Sequence, residues 1–545
     1  MRHNFLTIIS LTIISLTLSS PAEAKIEISR QAKASKTVYA SEAGVILDSD
    51  VYTGGGTDQT AVIQEILDLA GEWGRLYFVM DGAALVSKTL RVHSNTTVFC
   101  PDKSCGFFLA DGSDCSVISN KTWGDYHELK DHDIAIIGGV YNNNSPGQVH
   151  DRPKPGKEPG PLSEWVFGME WYGVENLTLK DFSIVDQRTF ACTLAGWKHL
   201  LIENVHIDRR VRTDHQNQDG IHLFGPGKHA VLRNVYGNSG DDFIAVAPDE
   251  VDLKSDITDV IIDGVYLDDA DQGIRILSRE KGRVDRLTIK NVSGTYRSYG
   301  FIINPWFEGS GGHYGNIVFE NVDLRPMKNN YDYSHPFLFK LGGNIESLTL
   351  KGIYHHRPEF NHRFAVIGGA YNRDKPRDEV NPTSIERLIV DGLYIDEENP
   401  EACQEAYFDI VGADVGLISL DNVIISRDVR FAKTSWKYAG APFAWYRISP
   451  GPKTVCGLYE EDGRYKLVTF MAESLSEKDT PQSARKHLLA TYSHTIFKPE
   501  VPVKELFEKV LKVGVTQHYA IADGDWRPQL EAFAQIMGFE FYNIK

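Results

Sequence analysis

One short pattern recurs down this chain and limits what it can fold into. It runs apolar, any residue, apolar, one or two polar residues (usually ending in Asn or Gly), then apolar. The copies are Leu177-Thr-Leu-Lys-Asp-Phe182, Leu200-Leu-Ile-Glu-Asn-Val205, Ala230-Val-Leu-Arg-Asn-Val235, Val260-Ile-Ile-Asp-Gly-Val265 and Leu287-Thr-Ile-Lys-Asn-Val292. Four more follow: Ile317-Val-Phe-Glu-Asn-Val322, Leu348-Thr-Leu-Lys-Gly-Ile353, Leu388-Ile-Val-Asp-Gly-Leu393 and Ile418-Ser-Leu-Asp-Asn-Val423. Ile134-Ala-Ile-Ile-Gly-Gly-Val140 reads as an earlier copy. The last residues of the nine copies lie 23, 30, 30, 27, 30, 31, 40 and 30 positions apart. Apolar and polar residues alternate, which is the period of a strand. A repeat of this length, holding two or three short strands, is one coil of a parallel β-helix. A coil cannot bury its inner face alone, so coils must stack. The recurring Asn or Gly marks a corner in left-handed backbone, which those two residues tolerate best. The expectation is an all-β solenoid.

Both ends of the chain read differently. Arg2 and His3 precede an apolar run, Phe5 to Leu18, followed by Ala22-Glu23-Ala24. This is the layout of a secretory signal peptide over 1–24, and the run is short of the ~20 residues that cross a bilayer. The expected location is periplasmic or secreted. A linker over 25–40 leads into the solenoid, 41–427. Near its start a helix over Ala61–Ala70, capped by Asp58 or Thr57, is expected to cover the first open edge. The repeat stops after Arg430, and residues 428–545 read as a small α/β module. Its strands are expected near 454–459, 465–471 and 517–523, with helices near 503–512 and 527–537. The six cysteines include a close trio, Cys100, Cys105 and Cys115, for which one disulfide and buried thiols are equally open. Acidic residues outnumber basic ones by 74 to 57, a net charge of −17, which argues against nucleic acid or an anionic membrane as partner.

Three carboxylates attract attention within the solenoid. Aligned on the strand pattern, Asp219-Gly220-Ile221 matches Asp241-Asp242-Phe243, then Gln272-Gly273-Ile274 and Tyr299-Gly300-Phe301. The offsets are 22, 31 and 27 residues. Asp219 and Asp241 are then expected to stack on adjacent coils, with Asp242 beside them. Like charges this close raise at least one pKa. An acid beside an ionised base suits glycosidic hydrolysis. A calcium site and a purely structural capping role compete with that reading.

At these residues the sequence resembles glycoside hydrolase family 28, the polygalacturonase group. Gly55-Gly-Thr-Asp58-Gln-Thr60 and Leu90-Arg-Val-His-Ser-Asn95 resemble its opening coil. Asn217-Gln-Asp219-Gly220 and Gly240-Asp241-Asp242-Phe-Ile-Ala245 resemble its two aspartate motifs. The resemblance implies a right-handed parallel β-helix and a polysaccharide or oligosaccharide substrate. It further implies inverting hydrolysis without metal or cofactor. Asp241 would be the general acid, and Asp219 and Asp242 would hold the water. By the same alignment Asn217, His222, Gln272, Arg275, Tyr299, Asn304 and Trp306 would face substrate. The family's Gly-His-Gly falls on Asp271-Gln272-Gly273, and its Arg-Ile-Lys on Ile302-Ile303-Asn304. Loss of that Arg and Lys puts plain homogalacturonan in doubt and leaves Arg275, Arg279 or His222 to meet an acidic or sulfated sugar. Tyr299, Trp306, Phe307 and Tyr314 are candidates for a stacking wall, and His313 for the missing histidine. A polysaccharide lyase, with Arg275 or Arg233 as base and calcium on the carboxylates, is the second reading. A non-catalytic glycan-binding protein is the third. Gly451-Pro-Lys-Thr-Val-Cys456, Gln517-His518-Tyr and Leu530-Glu-Ala-Phe-Ala-Gln-Ile-Met-Gly538 resemble the C-terminal domain of L-fucose isomerases.

Overall fold

The computed structural model describes residues 36–122, 126–148, 166–211, 217–250, 254–279, 281–304, 311–328, 337–357, 360, 362–368, 383–397, 408–411 and 413–425. Beyond these it describes the strands 436–438, 443–447, 454–461, 464–471 and 516–520. The proposed signal peptide therefore lies outside the described residues, as do the two expected C-terminal helices.

The nine repeat copies stack as one continuous parallel ladder. Leu177 pairs with Leu200, then in succession Ala230, Val260, Leu287, Ile317, Leu348, Leu388 and Ile418. The earlier copy joins below, with Ile134 opposite Leu177. Two further parallel ladders complete each coil, so the architecture is a parallel β-helix. Inward-facing apolar residues from all three ladders merge into one core running from Ala40 to Val415.

The corner explains why the repeat carries Asn or Gly. Asp181, Asn204, Asn234, Gly264, Asn291, Asn321, Gly352 and Gly392 all have φ between 53° and 83°. Their side chains also bond along the stack. The Asn204 amide donates to Asp181 (2.6 Å), Asn234 to Asn204 (3.0 Å) and Asn321 to Asn291 (2.7 Å). Asn291, whose lower neighbour is Gly264, donates instead to Asp263 (2.6 Å). Asn is thus selected twice, for its backbone tolerance and for a side chain that both donates and accepts. Asn291→Ala removes both functions and is expected to lower stability by about 2 kcal/mol. Asn291→Gly should recover only the backbone part, and denaturant midpoints of the two variants measure the difference. A second left-handed corner, Asn176, His199, His229, Asp259 and Arg286, carries no such signature in the sequence.

The first coil is closed by three devices. Strand Lys36–Tyr39 pairs along the edge of Leu76–Val79. Asp58 bridges Leu85, and the Gln59 N–H donates to the Leu85 carbonyl. The helix Thr60–Trp73 covers the third edge. On it the Gln64 amide both accepts from the Arg91 N–H (2.7 Å) and donates to the Arg91 carbonyl (3.0 Å), standing in for a missing strand. Its other face sends Ile63, Ile66, Leu67 and Ala70 into the solenoid core. Gln59 occupies the N-cap without a capping bond. Asp58, one position earlier, accepts from the Thr60 N–H (2.9 Å), while Thr57 bonds Asp48.

At the other end the strand Ala413–Ile425 pairs antiparallel with Trp436–Tyr438, which ends the parallel stacking. The hairpin Thr454–Glu461 with Arg464–Met471 and the antiparallel pair Phe443–Arg447 with Thr516–Ala520 lie beyond it. Cys100, Cys105, Cys115 and Cys192 carry free thiols.

Candidate active site

The register of the site differs from the one expected. Ile221 pairs with Ile244, and Ile244 with Ile274, so the offsets are 23 and 30 residues rather than 22 and 31. The Gly220 N–H donates to the Asp242 carbonyl, and the Gly240 N–H to that of Gln218. Asp219 therefore shares its column with Asp242, Gln272 and Tyr299, while Asp241 sits at the bend one residue earlier. The apolar alternation that sets this register is Ile221-x-Leu223, Ile244-x-Val246, Ile274-x-Ile276 and Phe301-x-Ile303. Matching Asp-Gly to Asp-Asp overrode it. Gly220 is required by close approach, since a Cβ there would lie 2.2 Å from the Phe243 carbonyl oxygen.

The three carboxylates lie close enough for the charges of Asp219 and Asp242 to act on Asp241, and their surroundings differ. Asp242 is buried, with one oxygen bonded by the Tyr299 hydroxyl and the other by Arg275 Nη1 at 3.2 Å. The Tyr299 hydroxyl also bonds the Gln272 side chain. Asp219 is buried, and its Oδ2 meets His222 Nδ1 at 2.9 Å. Its Oδ1 has no hydrogen-bond partner among the described residues. Asp241 is half-buried, and the Asn217 amide donates to it at 3.4 Å.

These environments push the acids apart electrostatically. Burial, then the charges of Asp219 and Asp242, hold the Asp241 carboxyl well above the usual carboxylate range. Burial also raises Asp219, to about 6, although the hydrogen bond and charge of His222 pull it back down. Two neighbouring carboxyls in unlike environments are the arrangement that divides acid from base.

Several residues expected to face substrate are occupied within the protein. His222 is buried, with its second nitrogen, Nε2, 2.9 Å from Glu250. Its ring is stacked between Phe190 and Phe224 at centroid distances of 4.6 and 4.3 Å. Arg275 reaches back past the small Ala245 to Asp242. Gln272 and Tyr299 serve the carboxylate column, and Tyr299 stacks on Phe337 rather than on solvent. Tyr314 is fully buried in the core, its hydroxyl accepting from the Ser278 N–H, so it is no part of a stacking wall. Arg279 donates to the Glu250 carbonyl at 3.1 Å. His313 opens the strand His313–Pro326 opposite Arg283, on a different ladder. Asn304 pairs with Leu277 in the backbone. Its side chain, Trp306 and Phe307 lie outside the described residues. Glu250, which no motif flagged, is the unexpected member. Its only sequence signal is a carboxylate in the turn that follows the strand Asp242–Ala247.

The neighbours also weigh on the competing chemistries. A guanidinium and an imidazole at the carboxylates are poor company for calcium. Arg233 is exposed and pairs with Glu203 at 2.9 Å on the outer face of the repeat ladder, which removes it as a lyase base.

A model of glycosyl hydrolases family 28 matches residues 162–333, a span that holds both aspartate motifs. No curated protein matches the chain in sequence. Among solved structures, the chain is similar to a family 28 exopolygalacturonase from Yersinia enterocolitica at 14% identity and a TM-score of 0.44, covering 70% of this chain and 78% of that one. It is similar to an exopolygalacturonase from Thermotoga maritima at 14% identity and a TM-score of 0.40, covering 74% and 94%. It is also similar to PfbA, a surface adhesin of Streptococcus pneumoniae, at 13% identity and a TM-score of 0.41, covering 82% and 100%.

Proposed function

We propose that the chain is an exported glycoside hydrolase that cleaves a polysaccharide or its oligomers with inversion at the anomeric carbon. The observation that carries this reading is the division of the three aspartates. Asp241 sits at the half-buried bend beside Asp219 and Asp242, where burial and their charges push its carboxyl well above the usual carboxylate range. The family match over the same coils supports it. Asp241 gives its proton to the glycosidic oxygen as the bond to the anomeric carbon breaks. Asp219 takes a proton from the attacking water, which the bound substrate must bring to this buried carboxylate. Asp242, with both oxygens engaged, serves by its negative charge, which keeps the proton on Asp241. Inversion follows from the family resemblance and places the water on the face opposite the leaving group.

His222 and Arg275 are committed to carboxylates, so they offer less support for an acidic or sulfated substrate than their sequence positions suggested. A glycan panel that includes neutral, uronate and sulfated polymers tests the reading. New reducing ends support hydrolysis. Ultraviolet-absorbing unsaturated ends would assign the chain to the lyases, and binding without cleavage to non-catalytic receptors.

The pH dependence follows from the same groups. The base must be ionised and the acid protonated, so kcat/KM should be bell-shaped. Its acid limb should rise through about pH 6, where Asp219 ionises. Its alkaline limb should fall as Asp241 loses its proton. The two limbs belong to the coupled set, not to either residue alone. An acid limb near the ordinary aspartate pKa of about 4 would contradict the assignment.

A further inference from the structure

His222 lies between two carboxylates, with Nδ1 2.9 Å from Asp219 and Nε2 2.9 Å from Glu250. A neutral imidazole carries one N–H. It would turn a lone pair toward one of these oxygens. Only the imidazolium donates to both. The two flanking phenyl faces suit a cation and keep the ring from turning away. Glu250 is the outer member, with a third of its side chain exposed, while His222 and Asp219 are buried. We propose that Glu250 is a positioning residue that holds His222 as an imidazolium and, through it, keeps Asp219 ionised and aimed as the base while Asp241 retains its proton.

The catalytic consequence rests on the hydrolase reading; the electrostatic relay does not. The other ionisable groups facing this relay are Asp241 and Asp242 on the neighbouring coil, Arg275 on the strand Ile257–Leu277 and Arg279 after it. Arg275 lies against Asp242, and Arg279 against the Glu250 backbone. His222 is therefore the one cation that bonds Asp219 among the described residues. Burial alone would lower the His222 pKa, yet Asp219 and Glu250 hold it at about 10. Burial would likewise raise Glu250, but its bond to His222 and the charges of His222, Arg275 and Arg279 bring it below its ordinary value.

The test is a titration by nuclear magnetic resonance of the full chain, with labelled histidine rings and aspartate carboxyl carbons. His222→Asn and Asp219→Asn identify the signals. In the wild type both His222 nitrogens should stay protonated from about pH 5 to about pH 8. In Glu250→Gln, His222 should lose its proton within that range. Asp219 then loses its cation, and its midpoint should move up by about one unit. Glu250→Asp, which restores the charge, should recover part of that shift. A wild-type His222 that titrates as an ordinary histidine, or an Asp219 midpoint unmoved in Glu250→Gln, overturns the proposal. If Glu250→Gln does not fold, the wild-type histidine titration decides alone. With a substrate in hand, the acid limb of kcat in Glu250→Gln should move to higher pH with KM unchanged. Failure to cleave any glycan would count against the hydrolase reading, while the titration still decides the relay.

Discussion

Asp241→Asn lowers kcat about a thousandfold and leaves KM and the fold in place, if Asp241 is the proton donor. The amide has the same shape and can still bond Asn217, but it has no acidic proton to give. Stability separates this account from a capping role. The folded pKa of Asp241 is raised, so its favourable contribution is present below the unfolded value of 3.8 and is lost as pH rises through the folded value. Near neutrality the unfolded chain would release this proton while the fold holds it, so the raised pKa costs stability. Removing the carboxyl should therefore leave the denaturation midpoint unchanged or higher at pH 7, the usual trade of stability for function. Steady-state kinetics and a denaturant titration on one preparation give both numbers. A less active and clearly less stable variant would favour the capping role.

Phe301→Ala is expected to cost about 3–5 kcal/mol. Phe301 is fully buried. It meets Phe319 edge-on at 4.7 Å and stacks on Phe339 at 5.0 Å, so its ring joins two ladders across the interior. Phe301 also follows Tyr299 and Gly300 directly, and a cavity there loosens the strand that presents the Tyr299 hydroxyl to Asp242. Activity should fall along with stability. Phe301→Leu, which keeps most of the volume, should cost less than about 1.5 kcal/mol and retain activity. Equal losses in the two variants would mean that the ring is not holding the coils together.

The parts of this fold that were legible before the structure are those governed by a strict local rule. The repeat ladder pairs at the spacings read from residues 177–423, because period-two burial and a left-handed corner leave few residue choices. The site was legible as a cluster but not in register. Asp-Gly and Asp-Asp look alike as motifs, whereas the inward residues Ile221, Ile244 and Ile274 decide which atoms stack. A slip of one residue then exchanged Asp241 for Asp242 as the mate of Asp219. The roles of His222 and Arg275 were not legible, because a polar residue on a strand gives no sign of whether solvent or a carboxylate waits beside it. Tyr314 failed as a sugar platform for the same reason: its aromatic face lies in the core and only its hydroxyl is used. Glu250 was missed because its partner is 28 residues away and belongs to another coil.

The most direct measurement of the central claim is the configuration of the first product. Proton resonance spectra taken within minutes of mixing the chain with a cleavable oligosaccharide read the anomer before it equilibrates. Hydrolysis by the three aspartates predicts a reducing end of inverted configuration, absent when Asp241→Asn is used. A retained configuration, an unsaturated end, or undiminished turnover by that variant would contradict it.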